Sequence, residues 1–139
     1  MCGIAGYVSR SASRKPVERM VEAMHHRGPD DRGIWERSGG GAILGNCRLS
    51  IMDPSEAGHM PMSDPSGHVH ITYNGELYGY LPLREELERA GHAFRSHTDT
   101  EVVLAAYSSI KSAVSCLIPE TPKENCESEP RTFKGSKYL

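Results

Sequence analysis

The 139-residue chain has no apolar run near the roughly 18 residues that a membrane-spanning helix needs. It also lacks the apolar core of an export signal, because Met1 to Val8 gives way at once to the polar stretch Ser9 to Lys15. Charge of one sign is missing too: 16 Lys and Arg stand against 18 Asp and Glu, a net charge of -2. That balance argues against nucleic acid or an acidic membrane surface as the main partner. The four cysteines, Cys2, Cys47, Cys116 and Cys126, include no C-x-x-C pair, which argues against a zinc ribbon or a thioredoxin-like motif. Without an export signal a disulfide framework is not expected, so the expected setting is the cytoplasm, with free thiols. No internal repeat is present. The histidines form no i, i+4 pair on a helix, and no metal site is expected; His68 and His70 share a strand face, but ordinary polar roles account for them.

What is present is an alternation of short strands and helices. Cys2 to Val8 reads as a strand of small and apolar residues. Val17, Met20, Val21 and Met24 fall at i, i+3, i+4 and i+7 and predict a helix over 16–26, with Pro16 in its first turn. Arg27 to Gly33 carries turn residues, and Ile34 to Arg37 reads as a further strand. Ala42 to Met52 is a second apolar run that contains Arg48, and Asp53 to Gly67 reads as loop. His68 to Tyr73 alternates as a half-buried strand does. Pro82 to Ala90 predicts a helix stopped by Gly91. Thr98 and Glu101 form a candidate capping box, followed by a helix with Val103, Ala106, Tyr107 and Ile110 on its apolar stripe. From Ile118 to Leu139 the chain is rich in Pro, Glu, Lys and Ser and reads as a disordered tail. The expected class is α+β or layered α/β.

Three features can carry chemistry. Removal of Met1 would give Cys2 a thiol and a free α-amine on one residue, a nucleophile with its own base. The simpler reading is a small buried cysteine behind a retained methionine. Asn74-Gly75 after a strand suggests a type I′ hairpin. Alternatively, the Asn74 side-chain amide and the Gly75 N–H form an oxyanion hole. Arg48 with Glu76 and Asp99 offers a guanidinium fork for a carboxylate and two carboxylates for an ammonium, which a free amino acid requires. Against this, Arg48 reads equally well as a surface strand residue and Asp99 as a helix cap.

Five segments in sequence carry a resemblance: Met1-Cys2-Gly3-Ile4-Ala5-Gly6, His26-Arg27-Gly28-Pro29-Asp30-Asp31, Arg48-Leu49-Ser50-Ile51-Met52-Asp53, Tyr73-Asn74-Gly75-Glu76-Leu77-Tyr78 and Thr98-Asp99-Thr100-Glu101-Val102. Together they resemble class II glutamine amidotransferases, and within these the glutaminase domain of glutamine-hydrolysing asparagine synthetase. Arg27-Gly28-Pro29-Asp30 and Arg48-Leu49-Ser50-Ile51 favour that branch. The resemblance implies an N-terminal nucleophile hydrolase fold, a four-layer α/β/β/α sandwich. It implies that Cys2 attacks the side-chain amide of glutamine to form a thioester, with Asn74 and Gly75 as the oxyanion hole. Arg48 would hold the substrate α-carboxylate, Glu76 and Asp99 its α-amine, and backbone from Leu49 to Met52, Leu49 and Ile51 included, would line the pocket.

Two departures qualify the resemblance. Gly79 stands where family members usually have Asn. After Ser108 the sequence no longer follows the family, so residues 1–110 are expected to be a partial amidotransferase domain, incomplete at its C-terminal side, and residues 111–139 a divergent tail. No Ser-Gly-Gly-x-Asp-Ser pyrophosphate loop is present, so ATP and Mg are expected only in a synthetase domain absent here, and no cofactor is expected in this chain. The expected partners are glutamine as substrate and such a domain, or a separate chain, as ammonia acceptor. The competing readings are a non-catalytic fragment that keeps the site residues, and an amidotransferase with another acceptor.

Overall fold

The computed structural model describes residues 1–117, with side chains to 111. Of the tail expected over 111–139, residues 111–117 continue the last helix, and the rest, with Cys126, lies outside the described residues, as does the side chain of Cys116. Ten elements follow one another among the described residues. They are β1 (Gly3–Val8), α1 (Arg14–Ala23), a 3-10 turn (His25–Arg27), β2 (Asp31–Glu36), β3 (Ala42–Arg48), a second 3-10 turn (Glu56–Gly58), β4 (Met62–Ser63), β5 (His70–Ile71), α2 (Tyr80–Arg89) and α3 (Asp99–Leu117). The mixed α/β class agrees with the expectation. No helix among the described residues is long and apolar enough to cross a membrane.

Three strands form an antiparallel sheet in the order β1-β3-β2, with Gly3 opposite Cys47 and Asp31 opposite Arg48. One face of this sheet carries α1. Val17 and Val21 pack on Ile43 and Cys47, with Ala5, Tyr7 and Ile34 at the margin. Burying each of these branched side chains contributes roughly 1.5–3 kcal/mol. Gly45 makes the close approach possible: a Cβ there would stand 2.6 Å from Val21 Cγ2. The opposite face meets the second sheet, the antiparallel pair β4-β5. The Asn46 side-chain amide donates to the Thr72 hydroxyl at 3.0 Å, that hydroxyl donates to the Gly45 carbonyl at 3.2 Å, and Trp35 stacks on His70 at 3.9 Å. A second core of Met60, Met62 and Leu104, flanked by Val69, Ile71 and Tyr73, joins β4-β5 to α3.

The differences from the sequence reading have local causes. Helix α1 begins at Arg14 and stops at Ala23, and His25–Arg27 continues as a tighter 3-10 turn. Strand β2 begins at Asp31, inside the segment read as a turn. The strand read at His68 to Tyr73 shrinks to His70–Ile71, because the amides of His68 and Val69 both donate to Asp64 Oδ1 at 3.0 Å instead of entering a ladder. His70 is occupied by Trp35 and by the Ser63 hydroxyl, 2.7 Å from its Nδ1. Half of the capping box forms: the Glu101 amide donates to the Thr98 hydroxyl at 3.3 Å, while the Glu101 carboxylate turns back to the amides of Arg95 and Ser96. The apolar stripe of α3 is also offset. Val102 and Leu104 are buried, whereas Tyr107 and Ile110 are 55% and 61% exposed.

Gly79 precedes α2 at φ 69 and ψ 26, the left-handed region. Gly and Asn are the residues that enter this region at least cost, so the Asn-to-Gly departure noted in the sequence is conformationally conservative. Replacing Gly79 by Val should destabilise the protein by about 1–2 kcal/mol, whereas Gly79→Asn should cost far less. Thermal melts compare the two variants, and equal melting temperatures would contradict this account.

Candidate active site

Cys2 stands one residue before the Gly3–Cys47 pair, so the β1–β3 register sets it beside the end of β3. The Leu49 amide donates to Cys2 Sγ at 3.4 Å, and the thiol lies 3.8 Å from the Leu49 carbonyl. Arg27 Nε donates to the Cys2 carbonyl at 3.1 Å and fixes the backbone behind the thiol. The segment around Arg27 fits against β3 because Gly28 has no side chain; a Cβ there would stand 2.5 Å from the Cys47 carbonyl oxygen. Asp30 completes the frame, its amide donating to the Arg48 carbonyl at 3.1 Å and its carboxylate accepting from the Ser50 amide at 2.7 Å.

Arg48 is only 5% exposed, which removes the reading of a surface strand residue. Its guanidinium lies beneath the loop that follows β3, donating to the Asp53 carbonyl and, at 3.3 Å, to the Ser55 carbonyl. Gly58 passes directly over the same guanidinium, where a Cβ would collide with it. Two carbonyls use part of a group with five N–H donors, so donors are left over for a ligand.

Asn74, Gly75 and Glu76 lie in the connection between β5 and α2, not in a hairpin. Gly75 is not among the glycines at positive φ, which a type I′ turn requires. The Tyr73 ring explains the glycine instead, since a Cβ at position 75 would stand 2.8 Å from its Cζ. Asp99 is the first residue of α3 and buried. Its Oδ2 accepts from the Leu77 amide at 2.7 Å, which ties the 74–77 loop to the start of the helix.

A cavity of about 400 Å³ brings these parts together. All eight residues singled out in the sequence line it: Cys2, Arg48, Leu49, Ile51, Asn74, Gly75, Glu76 and Asp99. The volume is that of a small-ligand site, with one thiol, one guanidinium and two carboxylates converging on it. Met52, at the end of the segment that the resemblance placed at the pocket, lines it too; Met1, Met60, Tyr73, Tyr78, Thr98 and Thr100 line it as well, and residue chemistry alone did not mark these. Burial first, then the negative charges of Asp99 and Glu76, push the Tyr73 phenol above its ordinary value. A hydrogen bond with Glu76, then that carboxylate's charge, raises Tyr78. Both tyrosines therefore remain neutral donors at working pH.

Residues 1–117 match a family described as the glutamine amidotransferase domain. Among curated proteins, two asparagine synthetases (glutamine-hydrolysing) of Bacillus subtilis are 38% and 40% identical to the chain, each over 77% of it. "Amidase chry2" of Gibberella zeae is 36% identical, also over 77% of the chain. The chain spans 17% or 18% of the length of each of these relatives.

One carboxyl beside the site has a marked shift. Asp53 is held from 3.8 down to about 2, first by the His97 amide and then by the Ser55 hydroxyl and amide. A depressed carboxyl contributes its stabilisation fully above the unfolded value and loses it as pH falls towards the folded value. The stabilisation that Asp53 gives the loop covering Arg48 should therefore be complete above pH 3.8, decline below it, and be gone below about 2, where the carboxyl itself takes up its proton in the folded chain. In NMR the His97 amide shift should titrate with its midpoint near 2 rather than near 3.8. A midpoint at the ordinary value would contradict the assigned bonds.

Proposed function

The chain belongs to the glutamine amidotransferase domain family, and from that premise we propose that it is the glutamine-hydrolysing part of an asparagine-synthetase-type amidotransferase. The observation that carries this reading is the single cavity in which a thiol, a candidate oxyanion hole and an amino-acid clamp converge. The packing order supports an N-terminal nucleophile hydrolase fold of four layers, because α1, the three-stranded sheet, the two-stranded sheet and α3 contact one another in that sequence.

The chemistry begins with removal of Met1. The freed α-amine of Cys2 takes the proton of the thiol on the same residue, so that one residue supplies both nucleophile and base. Arg48 holds the α-carboxylate of glutamine, and Glu76 and Asp99 hold its α-ammonium, which leaves the side-chain amide at the thiolate. Sulfur attacks the amide carbon, and the carbonyl π pair moves onto oxygen. The Asn74 side-chain amide and the Gly75 N–H donate to that developing charge. The intermediate collapses, the C–N bond breaks, and the proton held by the α-amine passes to the departing nitrogen. Ammonia leaves a glutamyl thioester on Cys2. Water then attacks the thioester, giving its proton to the same amine, and expulsion of the thiolate releases glutamate. The net change is glutamine plus water to glutamate plus ammonia.

The ammonia acceptor in this reading is aspartate, activated by ATP with Mg in a synthetase domain or separate chain. The likeness to the two Bacillus subtilis enzymes supports it. With the chain in excess over labelled glutamine, glutamate should form through an adduct on Cys2, and Cys2→Ala should form neither. Asn74→Ala should lower the limiting rate about 100- to 1,000-fold. A folded Asn74→Ala variant with wild-type rate would overturn the oxyanion assignment, and turnover by Cys2→Ala would overturn the mechanism.

A further inference from the structure

Asp53 does not line the cavity, yet it is 6% exposed and bonded to both sides of the cavity's frame. We propose that Asp53 is a positioning residue that sets the spacing between the two halves of the amino-acid clamp, Arg48 and Asp99. The inference rests on the glutamine-hydrolysing function proposed above.

The loop after β3 has little regular structure, only the 3-10 turn Glu56–Gly58, so its shape must come from side-chain bonds. Asp53 Oδ1 accepts from the Ser55 amide at 3.0 Å and from the Ser55 hydroxyl at 2.6 Å. That closes a tight turn whose two outer carbonyls, Asp53 and Ser55, are the ones that receive the Arg48 guanidinium. The carboxylate thus builds the seat in which Arg48 rests. Asp53 Oδ2 reaches across the fold and accepts from the His97 amide at 2.8 Å. His97 stands two residues before Asp99, and Asp99 in turn holds the Leu77 amide. A continuous path therefore runs from Arg48 through Asp53 to the turn that carries Asp99. Half-buried bonds from amides and a hydroxyl to an ionised carboxylate are short and strong enough to fix such a spacing.

An α-amino acid presents its two charges at a fixed separation, so both halves of the clamp must be correctly spaced at once. A misplacement of about 1 Å in a positioning group can cost on the order of 100-fold. Loss of Asp53 should act on substrate capture, because the thiol takes its own bonds from Leu49 and none from Asp53.

The test uses the diazoketone analogue of glutamine, which needs the clamp, and iodoacetamide, which does not. Labelling of Cys2 is followed by mass. For Asp53→Asn the concentration giving half-maximal labelling by the diazoketone should rise about tenfold, with the limiting rate changed less than about threefold. The iodoacetamide rate should stay within about twofold of the unmodified chain. If Asp53→Asn fails to fold, Asp53→Glu carries the same test, since it keeps the charge and moves it by one methylene. A folded variant whose half-saturation is unchanged, or in which both reagents slow together, overturns the positioning role and leaves the proposed function standing. Iodoacetamide labelling of the unmodified chain without saturable diazoketone labelling overturns the proposed function, and this inference with it.

Discussion

The antiparallel register of β1 on β3 is the constraint on which the rest of the site depends. Pairing Gly3 with Cys47 leaves Cys2 just beyond the ladder, beside the backbone of Leu49. A slip of one residue would turn every side chain of β1 to the other face and carry the thiol away from the cavity. The register is held by packing. Helix α1 buries Val17 and Val21 on the β3 residues Ile43 and Cys47. Gly3 lets β1 lie against the Cys47 thiol, because a Cβ there would stand 2.6 Å from its sulfur. The Cys47 thiol donates to the Met24 carbonyl at 3.1 Å, on the helix side of the sheet. The two cysteines that flank Gly3 in space thus serve different ends, one packed in the core and one facing the cavity.

Arg48 ends β3 and Asp99 opens α3, while the site residues between them in sequence sit on irregular chain, held by carboxylates that accept backbone amides. Asp30 takes the Ser50 amide, Asp53 those of Ser55 and His97, Asp99 that of Leu77, and Glu101 those of Arg95 and Ser96. Each of these bonds satisfies a backbone donor that no strand or helix satisfies. Three of them, Asp30 to Ser50, Asp53 to His97 and Asp99 to Leu77, cross 20 to 44 positions, so loops from β3, β5 and the start of α3 are brought to one cavity without a large sheet between them. The arrangement follows a general division of labour in which a packed scaffold carries the loops that hold functional groups.

Much of the site was legible in the sequence through five ordered segments, since taken singly Cys2, Asn74-Gly75, Arg48 and Asp99 each admit an ordinary structural reading. The structure brings all of them, with Glu76, to one cavity. Helix α1 was legible through its period, since Val17 and Val21 face the sheet as expected. The missed features depend on partners distant in sequence. Asp64 draws the amides of His68 and Val69 out of the expected strand, and nothing in the local alternation reveals it. The inner face of α3 is set by Met60 and Met62, which select Leu104 over the stripe at Tyr107 and Ile110. Asp53 looks like an ordinary loop residue until His97, 44 positions away, supplies its amide.

The central claim is that Cys2 is an N-terminal nucleophile seated in an amino-acid site. The most direct measurement is the mass of the N-terminal peptide after the purified chain meets the diazoketone analogue of glutamine. The account predicts a peptide that begins at Cys2 and carries one adduct, blocked by prior incubation with glutamine. A peptide that retains Met1, or an adduct found on another residue and indifferent to glutamine, would contradict it.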